Sequence, residues 1–128
     1  MDKPKYTAEQ LDMILKGFTS KDVPKRSPDL PPTAFLLSEG CKFLLGQMGT
    51  HWLFRVIITY QQDPKVRSMK HQLWQVSHNK DDEWFIFLVD KNDNMVVVTK
   101  ITGIEFPLAI LFIIVHDGVV MLHNEFRP

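Results

Sequence analysis

WFIFLVDKNDNMVVVTKITGIEFPLAILFIIVHDGVVML, residues 84–122, is the stretch that decides the fold. Dense apolar runs are parted by short polar turns, and within the runs neighbouring positions are apolar, so both faces of any strand built from them are apolar. A strand with one wet face alternates, whereas one apolar throughout needs a cover on each side. The segment therefore predicts a sheet closed on both faces, by the chain's own helices or by a partner.

Working outward, strand signals cover His71 to His78, Trp84 to Asp90, Met95 to Ile101, Ile110 to His116 and Val119 to Leu122. The links Asn79 to Glu83, Lys91 to Asn94 and Asp117-Gly118 have hairpin length and composition. They predict strands running antiparallel in sequence order, as a meander. Thr102-Gly103-Ile104-Glu105-Phe106-Pro107 breaks the pattern, as a bulge or an edge crossing would.

Upstream, Thr7 and Gln10 have the spacing of a capping box before Leu11, Ile14, Leu15 and Phe18, which predicts a helix over residues 7–18. From Thr19 to Pro32 the chain turns polar and carries Pro24, Pro28, Pro31 and Pro32, which predicts an extended linker. Such a linker would let the first helix pack on its own domain or on another copy. Cys41, Leu44, Leu45 and Met48 mark a second helix, for which Pro32-Thr33 and Ser38-Glu39 are both acceptable openings, and Gly40 weakens a helix running straight through. Gly49 suits its left-handed end, and Thr50 suits the cap of a third helix carrying Trp52, Leu53, Val56, Ile57 and Tyr60, ended by Asp63-Pro64. The expected fold is α+β: N-terminal helices on a four- to five-stranded antiparallel β-meander. Residues 1–32 form a helix and Pro-rich arm, and residues 33–128 a single domain.

The chain has 128 residues, enough for one domain without disulfides or structural metal. Fifteen basic and fifteen acidic side chains cancel, so no global field draws it to nucleic acid or an anionic bilayer. A single cysteine, Cys41, rules out an internal disulfide and fits a reducing compartment. The polar N-terminus lacks the apolar core of a secretory signal, and the longest apolar stretch, Phe106 to Val115, contains Pro107 and is too short for a membrane helix. These features predict a cytoplasmic protein with no membrane partner.

Motifs for chemistry are weak. Asp90-Lys91-Asn92-Asp93-Asn94 starts like a calcium loop, but Met95 stands where Gly is needed and Ile101 where a bidentate Glu should be. It reads as a hairpin turn. His51, His71, His78, His116 and His123 lack metal-ligand spacing, so no metal is expected. Cys41 falls on an apolar helix stripe, where a thiol is inert. Asp81, Asp82 and Glu83 read as a solvated acidic turn. No catalytic residues and no cofactor are assigned. Lys65, Arg67, Lys70 and His71 form the best polar cluster; with Trp52 or Trp74 nearby they would suit a nucleotide or single-stranded RNA. The tryptophans Trp52, Trp74 and Trp84 otherwise belong to the core or to a protein contact.

Seven segments stand in order along the chain: Ser38-Glu39-Gly40-Cys41-Lys42-Phe43-Leu44, His51-Trp52-Leu53, Gln72-Leu73-Trp74-Gln75-Val76, the Asp90 to Asn94 turn, Ile104-Glu105-Phe106-Pro107-Leu108, Val120-Met121-Leu122 and Glu125-Phe126. Together they resemble an uncharacterised family of small bacterial proteins met on plasmids, phages and other mobile elements. The resemblance spans residues 35–126 and leaves out the N-terminal helix and linker. It implies a compact fold and a mobile-element setting, and brings no catalytic residues. The resulting expectation is a non-enzymatic interaction protein, a homodimer that binds and occludes a macromolecular partner, with inhibition of a host defence such as a CRISPR effector suggested by the setting alone. The alternative is a nucleotide- or single-stranded-RNA-binding module.

Overall fold

The computed structural model describes residues 6–27, 29–31, 34–79 and 82–127. Pro28 and Pro32 of the linker, the Pro32-Thr33 helix opening and Asp81 of the acidic turn lie outside them. In chain order the elements are α1 (Ala8–Lys16), β1 (Leu36–Leu37), α2 (Glu39–Met48), α3 (His51–Tyr60), α4 (Pro64–Arg67), β2 (His71–His78), β3 (Glu83–Val89), β4 (Met95–Thr102), β5 (Ile110–His116) and β6 (Val119–Leu122). Short 3-10 turns lie at Ser20–Asp22 and His123–Glu125. The fold is α+β, as expected.

The sheet is not a plain meander. Its order is β1-β6-β5-β2-β3-β4, six strands, antiparallel except for β1, which runs parallel to β6. Strands β2, β3 and β4 follow one another by hairpins, and β5 then returns past them to pair with β2. That spatial order is a Greek key. The physical reason lies in the faces: β5 buries Leu111, Ile113 and Val115 on one side and Ile114 on the other, so it takes a central place. β4 exposes Lys100 and Thr102, which an edge tolerates. The return passes through Gly103, at φ 76°, and is pinned where the Trp84 indole N–H donates to the Ile104 carbonyl at 3.1 Å. Phe106 then meets Trp84 and Trp52 edge-on, with ring centres 5.9 and 6.1 Å away.

Trp74, Val76, Trp84, Ile86, Leu88, Leu111, Ile113, Val115, Val120 and Leu122 point to the helices and close the main core with Leu11, Leu15, Cys41, Leu44, Leu53, Phe54 and Ile57. The first helix thus packs on its own domain, and Asn124 fastens it by donating to the Leu15 and Phe18 carbonyls at 2.9 and 2.8 Å. Its capping box between Thr7 and Gln10 is present.

Helix α2 opens at Ser38, the second of the two expected starts. The Ser38 hydroxyl accepts from Cys41 N–H at 3.1 Å and donates to Glu125 at 2.5 Å. The fully buried Glu125 carboxylate also accepts from the N–H groups of Leu122 and Gly40, at 2.8 and 3.2 Å, and so ties the chain's end to this helix N-terminus. Gly40 is what allows the approach: a Cβ there would lie 2.4 Å from Leu122 Cδ1. Burial pushes the Glu125 carboxyl above its ordinary range, against the pull of its three donors.

Gly49 ends α2 at φ 62°. Thr50 stands at the N-cap position of α3 as expected, but its hydroxyl does not bond the helix's free N–H groups; it donates back to the Leu44 carbonyl at 2.8 Å. Asp63-Pro64 marks the start of a one-turn helix rather than merely an end, with Asp63 accepting from Lys65 N–H at 2.9 Å and proline at the position where its missing N–H costs nothing. Asp117-Gly118 forms the expected tight hairpin, both residues at positive φ.

Candidate interaction face

The register sets side chains of the sheet's other face in rows. Phe112, Gln75, Phe87 and Val98 lie side by side across β5, β2, β3 and β4, and Ile110, Ser77, Phe85 and Lys100 form the next row. Among the described residues no helix lies across these rows; only at their β5 end does the His123 ring meet Phe112, at 5.9 Å, with Asp12, Leu15 and Lys16 of α1 bordering Phe112 and Ile110. Val98 is 53% exposed and Ile110 48%, and the three phenylalanines are part-exposed. Lys100 is held by Glu83 at 3.0 Å, so its charge is partly neutralised on the spot.

Towards β6 the same face is closed by the linker and by the segment after β6. Ile114, Val119 and Met121 form a second small core with Leu73, Leu36, Val23 of the linker and Phe126 of the C-terminal end. The Phe126 ring lies 4.8 Å from the His71 ring and 5.1 Å from that of His116. His71 and His116 are direct cross-strand partners, their Nδ1 atoms 3.0 Å apart. Burial, and then the neighbouring His116, hold the His71 pKa below its ordinary value. The expectation of cover on both faces is therefore met on the helix side and at only one end of the other side.

Between these two regions lies a groove of about 660 Å³. Its floor is the cross-strand pair Leu73 and Val89, and its rim comes from Met69, Lys70, His71 and the Asp90 to Asp93 turn. The Asp90 carboxylate is occupied with its own turn, accepting from Asn92 and Asn94 N–H at 2.8 and 2.9 Å; these donors hold its pKa below the ordinary range. This is the hairpin reading of that segment.

The basic cluster divides. Lys70 and His71 reach the groove, but Asp90 and Asp93 share its rim, and Lys70 also lies 3.7 Å from Asp117. Arg67 opens instead onto a smaller cavity with Gln61, Gln72 and Asp117. Lys65 stands near Asp90. Neither tryptophan joins them. Trp74 is fully buried beside Tyr60 and donates its indole N–H to Gln72 at 2.9 Å, within a buried pair in which Gln61 and Gln72 exchange amide hydrogen bonds. A base cannot stack on it. Trp52 packs with Trp84 and Phe106 at the opposite end of the sheet. Trp74 is thus closed to a stacking base, and the part-exposed Trp52 lies against the core apart from the basic residues.

Cys41 is buried, and burial pushes its thiol up to about 12. His78, on the opposite face from His71 as parity requires, stacks on Trp84 at 4.4 Å. Among the described residues no helix is long and apolar enough to cross a membrane. Sequence reasoning did not single out Phe85, Phe87 and Phe112. Their signal was present as phenylalanine at alternate positions of a run whose other parity supplies the core.

Residues 9–126 match the model of a family of unknown function, DUF6876, and the chain belongs to that family. The match takes in α1 and the linker, which the resemblance drawn from sequence had left out. No curated protein and no solved structure matches the chain.

Proposed function

We propose that this member of a family of unknown function is a non-enzymatic interaction protein that pairs with a second copy of itself through the open face of its sheet. The observation that carries the reading is the open row Gln75, Phe87, Val98 with its neighbours Ile110 and Phe85, bounded at the β5 end by Phe112 against His123. Apolar surface gathered on one face is what a protein contact uses, whereas scattered apolar side chains mean little. A face of this kind is self-complementary under a two-fold axis.

Size decides what sort of complex follows. Four strands spaced about 4.8 Å apart, with about six residues of each, make a plane of roughly 300 Å². Even with side-chain relief and the groove rim added, that is well short of the ~800 Å² per partner of a standard stable interface. The dimer is therefore a dissociable one. Sedimentation velocity over a dilution series tests it, with Val98→Glu as the control, since a half-exposed edge residue accepts the change without loss of fold. Mass rising with concentration in the wild type, and staying at the monomer value in V98E, supports the reading; a monomer throughout overturns it.

A further inference from the structure

Helix α3 is apolar over more of its circumference than the sheet requires. Leu53, Phe54 and Ile57 enter the core, and the part-exposed Ile58 continues the apolar surface around the helix, in one stripe with Phe54, His51 and Arg55 at the i, i+3, i+4, i+7 spacing. That stripe forms one wall of a groove of about 430 Å³, whose other walls are Leu45 of α2 and Phe35 and Leu37 beside and on β1. The volume is in the range of ligand pockets. The groove lies on the helix side of the sheet, away from the open face.

Two further features define what fits. The first is a free strand edge: β1 is the outermost strand on this side. Leu36 N–H donates to the Gly118 carbonyl at 3.0 Å and Ser38 N–H to the Val120 carbonyl at 2.9 Å, so Leu37 between them turns its own N–H and C=O outward, with no strand beside it among the described residues. The second is charge. Arg55 and His51 stand exposed at the rim; among the described residues no carboxylate lines the groove and Arg55 has no ion-pair partner.

We infer that this groove is a peptide-docking site, taking an extended segment of a partner protein that lays an aliphatic or aromatic side chain between Leu37, Leu45, Phe54 and Ile58 and an adjacent carboxylate against Arg55. The backbone of the segment meets the outward N–H and C=O of Leu37, as in strand addition to a sheet edge. The short strand supplies few such bonds, so the apolar side chain provides most of the affinity and Arg55 the selection for acid. A guanidinium gives that selection better than an ammonium because its fork matches a carboxylate.

The test uses full-length protein and fluorescein-labelled peptides that pair Leu, Ile or Phe with an adjacent Asp or Glu, beside matched peptides with Lys in the acidic position. Anisotropy titrations are run on wild type, on V98E and on Arg55→Glu, an exposed position where the fold is not at risk. The expected result is saturable binding of acidic peptides to wild type and V98E alike, at least tenfold weaker with the Lys peptides and with R55E, and amide NMR shifts centred on Leu37, Leu45, Phe54 and Ile58. Absence of saturable binding by every acidic peptide, equal affinity for Lys peptides, or indifference to R55E overturns the inference. Because V98E removes self-association alone, failure of the dimer leaves this result readable.

Discussion

Two alanine substitutions in one helix should move stability in opposite directions. Gly40 and Gly46 both lie in α2. At Gly46 an added Cβ meets nothing within 4 Å, and at Gly40 it lies 2.4 Å from Leu122 Cδ1 and 2.8 Å from Glu125 Oε1. Gly46→Ala gains helix propensity alone, about 0.5–1 kcal/mol. Gly40→Ala gains at most that and incurs about 1–3 kcal/mol of overpacking, because Leu122 is buried and has no room to withdraw. It also dislodges the Glu125 oxygen that accepts from Ser38 and Leu122, and a hydrogen bond to a charged group is worth about 1.5–3 kcal/mol. The net is about 3 kcal/mol of destabilisation, which for a chain of this length lowers Tm by about 10 °C, while G46A raises it by about 2–4 °C. Urea unfolding and calorimetry of the two variants measure both. If G40A equals or exceeds the wild type, the clamp between the chain's end and α2 is wrong.

Burial raises the Glu125 pKa in the fold, so between the ordinary carboxylate range and that raised value folding takes up a proton, and this group's contribution to stability falls as pH rises through the window; Glu125→Gln should abolish that slope in urea titrations across mildly acidic pH. The His71 pKa is lowered, so its contribution is present above the ordinary histidine range and lost as pH falls below it, and His71→Gln should flatten the acid limb of the stability profile. Cys41, buried and raised to about 12, should react with an aromatic disulfide only at the rate of unfolding; prompt labelling of native protein would refute its placement.

Much of this was legible in the sequence, and the gaps have physical causes. The five longer strands stand where their apolar runs and turn residues put them, because Asn, Asp and Gly at positions 92–94 and 117–118 punctuate them unmistakably. The order of strands is less legible, because hairpin-length links favour neighbours in sequence and the Thr102 to Pro107 break does not state how far it travels. The clue was in composition: Ile113 and Ile114, apolar on both faces, demand a central strand, whereas Thr99, Lys100 and Thr102 suit an edge. β1 escaped notice because Leu36 and Leu37 are too few to show a period. Gly40 read as a helix weakener because its contact, with Leu122 and Glu125, is remote in sequence. For the same reason Trp74 looked available for a ligand, although Gln72 and Tyr60 enclose it.

The open sheet face carries the functional account, and hydroxyl-radical footprinting at low and high protein concentration addresses it most directly. Phe85, Phe87 and Phe112 should lose reactivity as concentration rises, while Phe54 and Ile58 in the groove beside β1 stay unchanged, and V98E should remove the effect. Phenylalanine reactivity that is the same at every concentration, with the wild type monomeric at its solubility limit, would contradict it.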